Sequence, residues 1–123
     1  MKNLNFILII VLLVTGCQKP TETRTYHSAG DVSYRVEFYR GKGAVASSST
    51  AVFAVLTTGA GSSEKLVLSG TDMDVDSINW QADGQGVICI SGGYTETYRR
   101  LIALTVGADT KAVYTHLSDS CPK

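Results

Sequence analysis

Val32-Ser33-Tyr34-Arg35-Val36-Glu37-Phe38-Tyr39 alternates without a break. Val32, Tyr34, Val36 and Phe38 fall on one face, and Ser33, Arg35, Glu37 and Tyr39 on the other. A period of two marks a half-buried strand, because successive side chains of extended backbone point to opposite sides of a sheet. Outward from this stretch, Gly41-Lys42-Gly43 turns the chain, and residues 50–57 (TAVFAVLT) form a more continuous apolar run suited to a central strand. Residues 58–63 read as a loop, 66–69 as a third strand ending at Gly70, and Ile78 and Trp80 alternate in a fourth. Residues 82–86 make a turn and 87–91 a fifth strand. After Gly92-Gly93, the long segment 94–106 places Tyr98, Ile102, Leu104 and Val106 on one face. Residues 107–110 turn again, and 112–117 close as a seventh strand. Gly, Ser and Thr are abundant and helix formers sparse. Strands recurring every 8–12 residues or so with glycine punctuation predict an all-β fold, a small antiparallel sandwich or barrel of about seven strands. A helix within 96–105 is the competing reading of TYRRLIAL, and no internal repeat is visible.

The N-terminus carries an address. Met1-Lys2 supplies one positive charge, and residues 6–14 (FILIIVLLV) are unbroken apolar. The run is too short to span a bilayer, which takes about 20 apolar residues, and it fits a secretory signal. Val14-Thr15-Gly16-Cys17 follows, an aliphatic residue, a small one, Gly and then Cys. This resembles the lipobox of bacterial lipoproteins. The resemblance implies cleavage after Gly16, lipidation of Cys17, and anchorage of the mature chain to a membrane outside the cytoplasm. Gln18 stands at the second mature position, where an Asp in enteric-type lipoproteins retains the protein in the inner membrane; the resemblance therefore implies the outer membrane, facing the periplasm. The expected organisation is a signal peptide (1–16), a lipidated cysteine with a flexible tether (17–30) and a single β domain (31–123). The polar, aperiodic segment 18–29 would reach at most ~40 Å at about 3.3 Å per residue.

Eleven Lys and Arg stand against eleven Asp and Glu. Removing Lys2 with the signal leaves ten against eleven, a balance with no electrostatic footprint for nucleic acid. Of three cysteines, lipidation of Cys17 leaves Cys89 and Cys121. An even remainder in an oxidising compartment invites a Cys89–Cys121 disulfide; the plainer alternative is one buried and one exposed thiol.

Tyr34 to Tyr39, Gly43-Ala44, Ser47-Ser48-Ser49, and Trp80 ahead of Val87-Ile88-Cys89-Ile90 form a layout that resembles small bacterial exported domains without an assigned activity. That likeness implies a β domain and carries no function.

Candidate sites are few. Asp72, Asp74, Asp76 and Asp83 have calcium-loop spacing, but Ser77 stands where the loop needs glycine and a strand follows where a helix should, so no metal is expected. Hydroxyls at 47–50, 62–63 and 69 with His116 make no recognisable nucleophile motif, and His27 and His116 stand alone, so neither an enzyme nor a cofactor is expected. Ser91-Gly92-Gly93-Tyr94, followed by TETYRR, concentrates Tyr and Arg, the types enriched at binding hot spots. It is similar to the Ser-Gly-x-x-Tyr loop of membrane-bound C-type lysozyme inhibitors, small β-barrel lipoproteins with a disulfide, though one residue rather than two separates Gly92 from Tyr94 here. Ser91, Tyr94 and Arg99 are the expected binding residues, with Tyr98 in the core. The expected function is a non-enzymatic envelope lipoprotein that binds a protein partner, as an inhibitor or an immunity or exclusion factor, a periplasmic lysozyme inhibitor being one form. The alternative is a small-molecule or glycan binder built on Trp80 and tyrosines.

Overall fold

A computed structural model of the chain describes residues 19–28, 30–40, 47–119 and 121. Residues 1–16, expected to be a signal peptide, together with Cys17, Gln18 and the turn expected at Gly41-Lys42-Gly43, lie outside the described residues. Nine strands follow one another: β1 (Glu22–His27), β2 (Val32–Arg40), β3 (Ser48–Thr58), β4 (Gly61–Thr71), β5 (Asp74–Trp80), β6 (Gly86–Ser91), β7 (Tyr94–Tyr98), β8 (Leu101–Val106) and β9 (Asp109–Ser118). They form two sheets, one in the order β1-β2-β3-β4-β7 and one in the order β5-β6-β9-β8, packed as a sandwich. All pairings are antiparallel except β6 with β9, which is parallel. The fold is all-β, and residues 96–105 are two strands joined at Arg99-Arg100, not helix.

Alternation builds the core as expected. Val32, Tyr34 and Val36 of β2 and Val52, Ala54 and Leu56 of β3 are buried from the first sheet. Val75, Ile78, Ile88, Ile102, Leu104, Val106 and Val113 meet them from the second. The Tyr34 hydroxyl bonds the Thr115 hydroxyl across the core, and its ring stacks on Trp80 at 4.9 Å. Burial pushes the Tyr34 phenol above its ordinary pKa, and the bond to Thr115 offsets part of that rise.

Four expectations need correction. Within the expected tether 17–30, the described residues 22–27 are not free: they are β1, paired from Glu22↔Phe38 to His27↔Ser33. β1 is polar and exposed along most of its length, so it has no hydrophobic alternation to reveal it; the backbone ladder to β2 holds it. Residues 58–63 are not all loop, because β3 and β4 run to Thr58 and from Gly61 and turn tightly between them. Strands among the described residues number nine, because β1 was hidden and because 94–106 is two strands in different sheets. Tyr98 is 38% exposed rather than core.

Cys89 and Cys121 are joined, with Cα atoms 5.9 Å apart. The bridge pins the chain beyond β9 to β6. Bulges mark three strands. Val67 in β4, Asp76 in β5 and Glu96 in β7 each lack an opposite residue in the ladder.

Candidate interaction surface

The four sheet edges are β1, β7, β5 and β8. β1 and β5 share one side of the sandwich, where Arg24 Nη1 donates to the Val75 carbonyl at 3.2 Å and the guanidinium lies over the Phe38 ring at 4.7 Å. That side is stitched shut by a charged side chain. β7 and β8 follow each other in sequence at the other two edges.

Local geometry explains how one stretch serves two sheets. Gly92 and Gly93 take φ of 70° and 55°, and a Cβ on Gly93 would stand 2.1 Å from the Thr71 carbonyl oxygen. Only glycine fits there, so the chain leaves β6 and enters the first sheet as β7. The Arg99 N–H donates to the Val67 carbonyl at 2.8 Å, the last bond to the first sheet. The Thr115 N–H donates to the Arg100 carbonyl at 2.8 Å, the first bond to the second. The switch falls between two arginines, with no turn residue.

This geometry sets the exposure. Tyr94 is 63% exposed and Leu101 52%, with Tyr114 and Tyr98 also open. Leu101 and Tyr114 are direct cross-strand partners, so they form one apolar patch on the outer face of the second sheet. Ala103 and Ala112, the next exposed pair on that face, extend it. The Tyr98 hydroxyl donates to the Thr115 carbonyl at 2.5 Å, which ties β7 down over β9. Every exposed large hydrophobic side chain among the described residues therefore lies on β7, β8 or the strand beside β8.

The expected binding residues are divided by this arrangement. Ser91 and Tyr94 flank the Gly92-Gly93 turn, and Ser91 Oγ donates to Asp76 at 3.0 Å. Arg99 is exposed at the far end of β7, roughly 16 Å along an extended strand from Tyr94. Leu101 and Tyr114 were not among the expected residues. Leu101 could have been found, since alternation with Ile102 and Leu104 turns it outward; its pairing with Tyr114 depends on register.

No family model, no curated protein and no solved structure matches this chain.

The other sequence candidates take structural roles. Asp72, at φ 54°, accepts from the Ser48 N–H at 2.9 Å, Asp76 from Ser91, and Asp83 from the Gln85 N–H at 3.1 Å. These three aspartates thus serve separate turns and strands, and Asp74 opens β5. The His116 ring bonds the Gln85 side chain. Trp80 lines a cavity of about 240 Å³ between Asp31 and Lys111, and its indole Nε1 is buried without a hydrogen-bond partner among the described residues.

Proposed function

We propose that this is a lipid-anchored, non-enzymatic protein of the bacterial envelope whose β domain binds another protein through the side formed by β7 and β8. One observation carries the reading: Tyr94, Tyr98, Leu101 and Tyr114, the exposed large hydrophobics among the described residues, all lie on that side, beside the exposed Arg99 and Arg100. Aromatic and arginine side chains on a rigid sheet supply contact area with little conformational entropy to lose, which is why binding energy concentrates in them. Grouped apolar exposure of this kind marks interaction sites on folded domains. The lipobox at Val14-Thr15-Gly16-Cys17 supports the anchor, and Gln18 supports the outer membrane. An inhibitor or an immunity or exclusion factor fits a small tethered binder, and a lysozyme inhibitor is the form assayed most simply.

The test places a photo-reactive residue at Tyr94 or Leu101 in the chain produced in cells, and at Thr23 on β1 as control. Protein adducts at the first two positions and none at the third are expected; equal labelling at all three, or none at all, would remove the reading. Cys17→Ser should leave an unlipidated precursor, and unchanged mass and detergent partitioning would remove the anchor. Lysozyme inhibition lost in Tyr94→Ala would select that form.

A second reading, small-molecule or glycan binding, is favoured by the Trp80 cavity and its unpartnered indole N–H. At about 240 Å³ the cavity falls below the roughly 300–1,000 Å³ of ordinary ligand pockets. A ligand-dependent change in Trp80 fluorescence tests it.

A further inference from the structure

Unpaired sheet edges template association with other chains, and folded proteins blunt them with charge, bulges, short length or a covering segment. Three of the four edges here are blunted. β1 carries Glu22, Arg24 and His27. β5 carries Asp74 and Asp76, the second in a bulge. β7 has five residues, with Glu96 in a bulge.

β8 is different. Leu101-Ile102-Ala103-Leu104-Thr105-Val106 holds no charge and no proline, and its register with β9 is continuous. Among the described residues it pairs with β9 alone. Thr115 N–H donates to Arg100 O, and an antiparallel ladder bonds alternate residues. The N–H and C=O of Leu101, Ala103 and Thr105 therefore point away from β9, toward the open edge.

We infer that the partner at this edge is a second copy of the chain, its β8 running antiparallel to the first about a two-fold axis at Ala103. The inference rests on the reading of the β7–β8 side as a protein-binding surface and assigns the β8 edge within it to a second copy. Three features make the edge complementary to itself. An axis at Ala103 sets Leu101 against Thr105 and Ile102 against Leu104, so outward residues meet outward and inward meet inward. The two residues meeting on the axis are alanines, small enough for close approach. Arg99 and Arg100 of each copy come to the turn before Asp109 of the other. All three of these charged residues are exposed and form no ion pair within the described residues of one chain. Two four-stranded sheets thereby join into one of eight strands, and the Leu101–Tyr114 patches of the two copies flank the seam. A two-fold contact of this kind closes on itself and stops at two.

The full chain, produced in bacterial cells with p-benzoylphenylalanine at Leu101, tests the inference by illumination and mass spectrometry of the adducts. The expected product has twice the protein's mass and contains peptides of this chain alone. Ala103→Lys should reduce it at least tenfold by setting two like charges on the axis. Co-production of Ala103→Lys with Ala103→Glu should restore it. The Cys89–Cys121 bridge, read by gel mobility, reports that each variant folds. An adduct with a different protein would overturn the second copy while leaving the protein-binding reading in place; no adduct at Leu101 would overturn the second copy, and none at Tyr94 as well would overturn both. A twofold-mass adduct indifferent to Ala103→Lys would overturn the axis and the edge pairing with it.

Discussion

The ring of Tyr34 occupies the space in front of Gly86: a Cβ on Gly86 would stand 2.5 Å from the Tyr34 hydroxyl oxygen and 2.6 Å from its Cε2. The contact joins β2 to β6 across the sandwich, so the two sheets approach as closely as they do because position 86 has no side chain. Gly86→Ala should destabilise the domain by about 1–3 kcal/mol through overpacking. Gly59→Ala, with nothing within 4 Å of its Cβ, should stay within about 0.5 kcal/mol. Urea denaturation of both variants decides it; equal stabilities would mean that Tyr34 has room to move.

The Tyr34–Thr115 bond is buried at both ends. Tyr34→Phe leaves the Thr115 hydroxyl without that partner and should lower stability by about 1–2 kcal/mol, whereas adding Thr115→Val should recover most of the loss. A double-mutant cycle measures the coupling. Additive losses would show that the bond contributes nothing.

Alkaline pH should act through the same residue. Burial raises the folded pKa of Tyr34 above its ordinary value near 10. The stability this provides is complete below the unfolded pKa and is lost as pH rises through the folded one, since the unfolded chain releases the proton first. The stability gap between the native chain and Tyr34→Phe should therefore narrow above about pH 10. A gap constant from pH 8 to 11 would contradict the burial argument.

Reduction of Cys89–Cys121 opens a crosslink spanning 32 residues. It should lower stability by roughly 3–4 kcal/mol in the chain-entropy description, read as a fall in Tm of the reduced protein. An unchanged Tm would show that the chain beyond β9 stays in place without the bridge.

Tyr94→Ala and Arg99→Ala should each leave stability within about 0.5 kcal/mol while weakening partner binding, because both side chains project from the surface. Tyr98→Ala should lose about 1–2 kcal/mol, for its half-exposed ring and its bond to the Thr115 carbonyl. Thermal melts rank the three, and a silent Tyr98→Ala would mean that β7 is held to β9 by other contacts.

What could be read from the residues follows a physical line. β2 and the inner face of β8 were legible because burial of one face selects apolar residues at every second position, and β3 because a central strand half-buried on its second face as well reads as a continuous apolar run. The disulfide was legible from the even number of cysteines that remains once Cys17 is read as a lipidation site. β1 was not, because an edge strand exposed on both faces leaves no mark of periodicity. The break between β7 and β8 was hidden because Arg99 and Arg100 change sheets by changing hydrogen-bond partners, without glycine or proline. The parallel pairing of β6 with β9 is a choice of neighbour, which alternation within a strand does not encode. At the site, the exposure of Tyr94 was expected from its glycine turn. The Leu101–Tyr114 patch was not, since it exists only in the register of two strands.

The Thr21 N–H already bonds the Phe38 carbonyl, so the domain begins much closer to Cys17 than a tether through residue 30 would allow. Four Cα steps from Cys17 to Thr21 cover at most about 15 Å. Under the acylation proposed for Cys17, the sandwich is moored on a short line and cannot rise far above the lipid. Copies paired edge to edge as inferred above would point their β1 strands in opposite directions, and both proposed moorings would have to reach the same bilayer. An upright sandwich would lift one of the two out of reach. Such a pair would rest on a sheet face, its strands parallel to the membrane plane, like a raft with a line at each end.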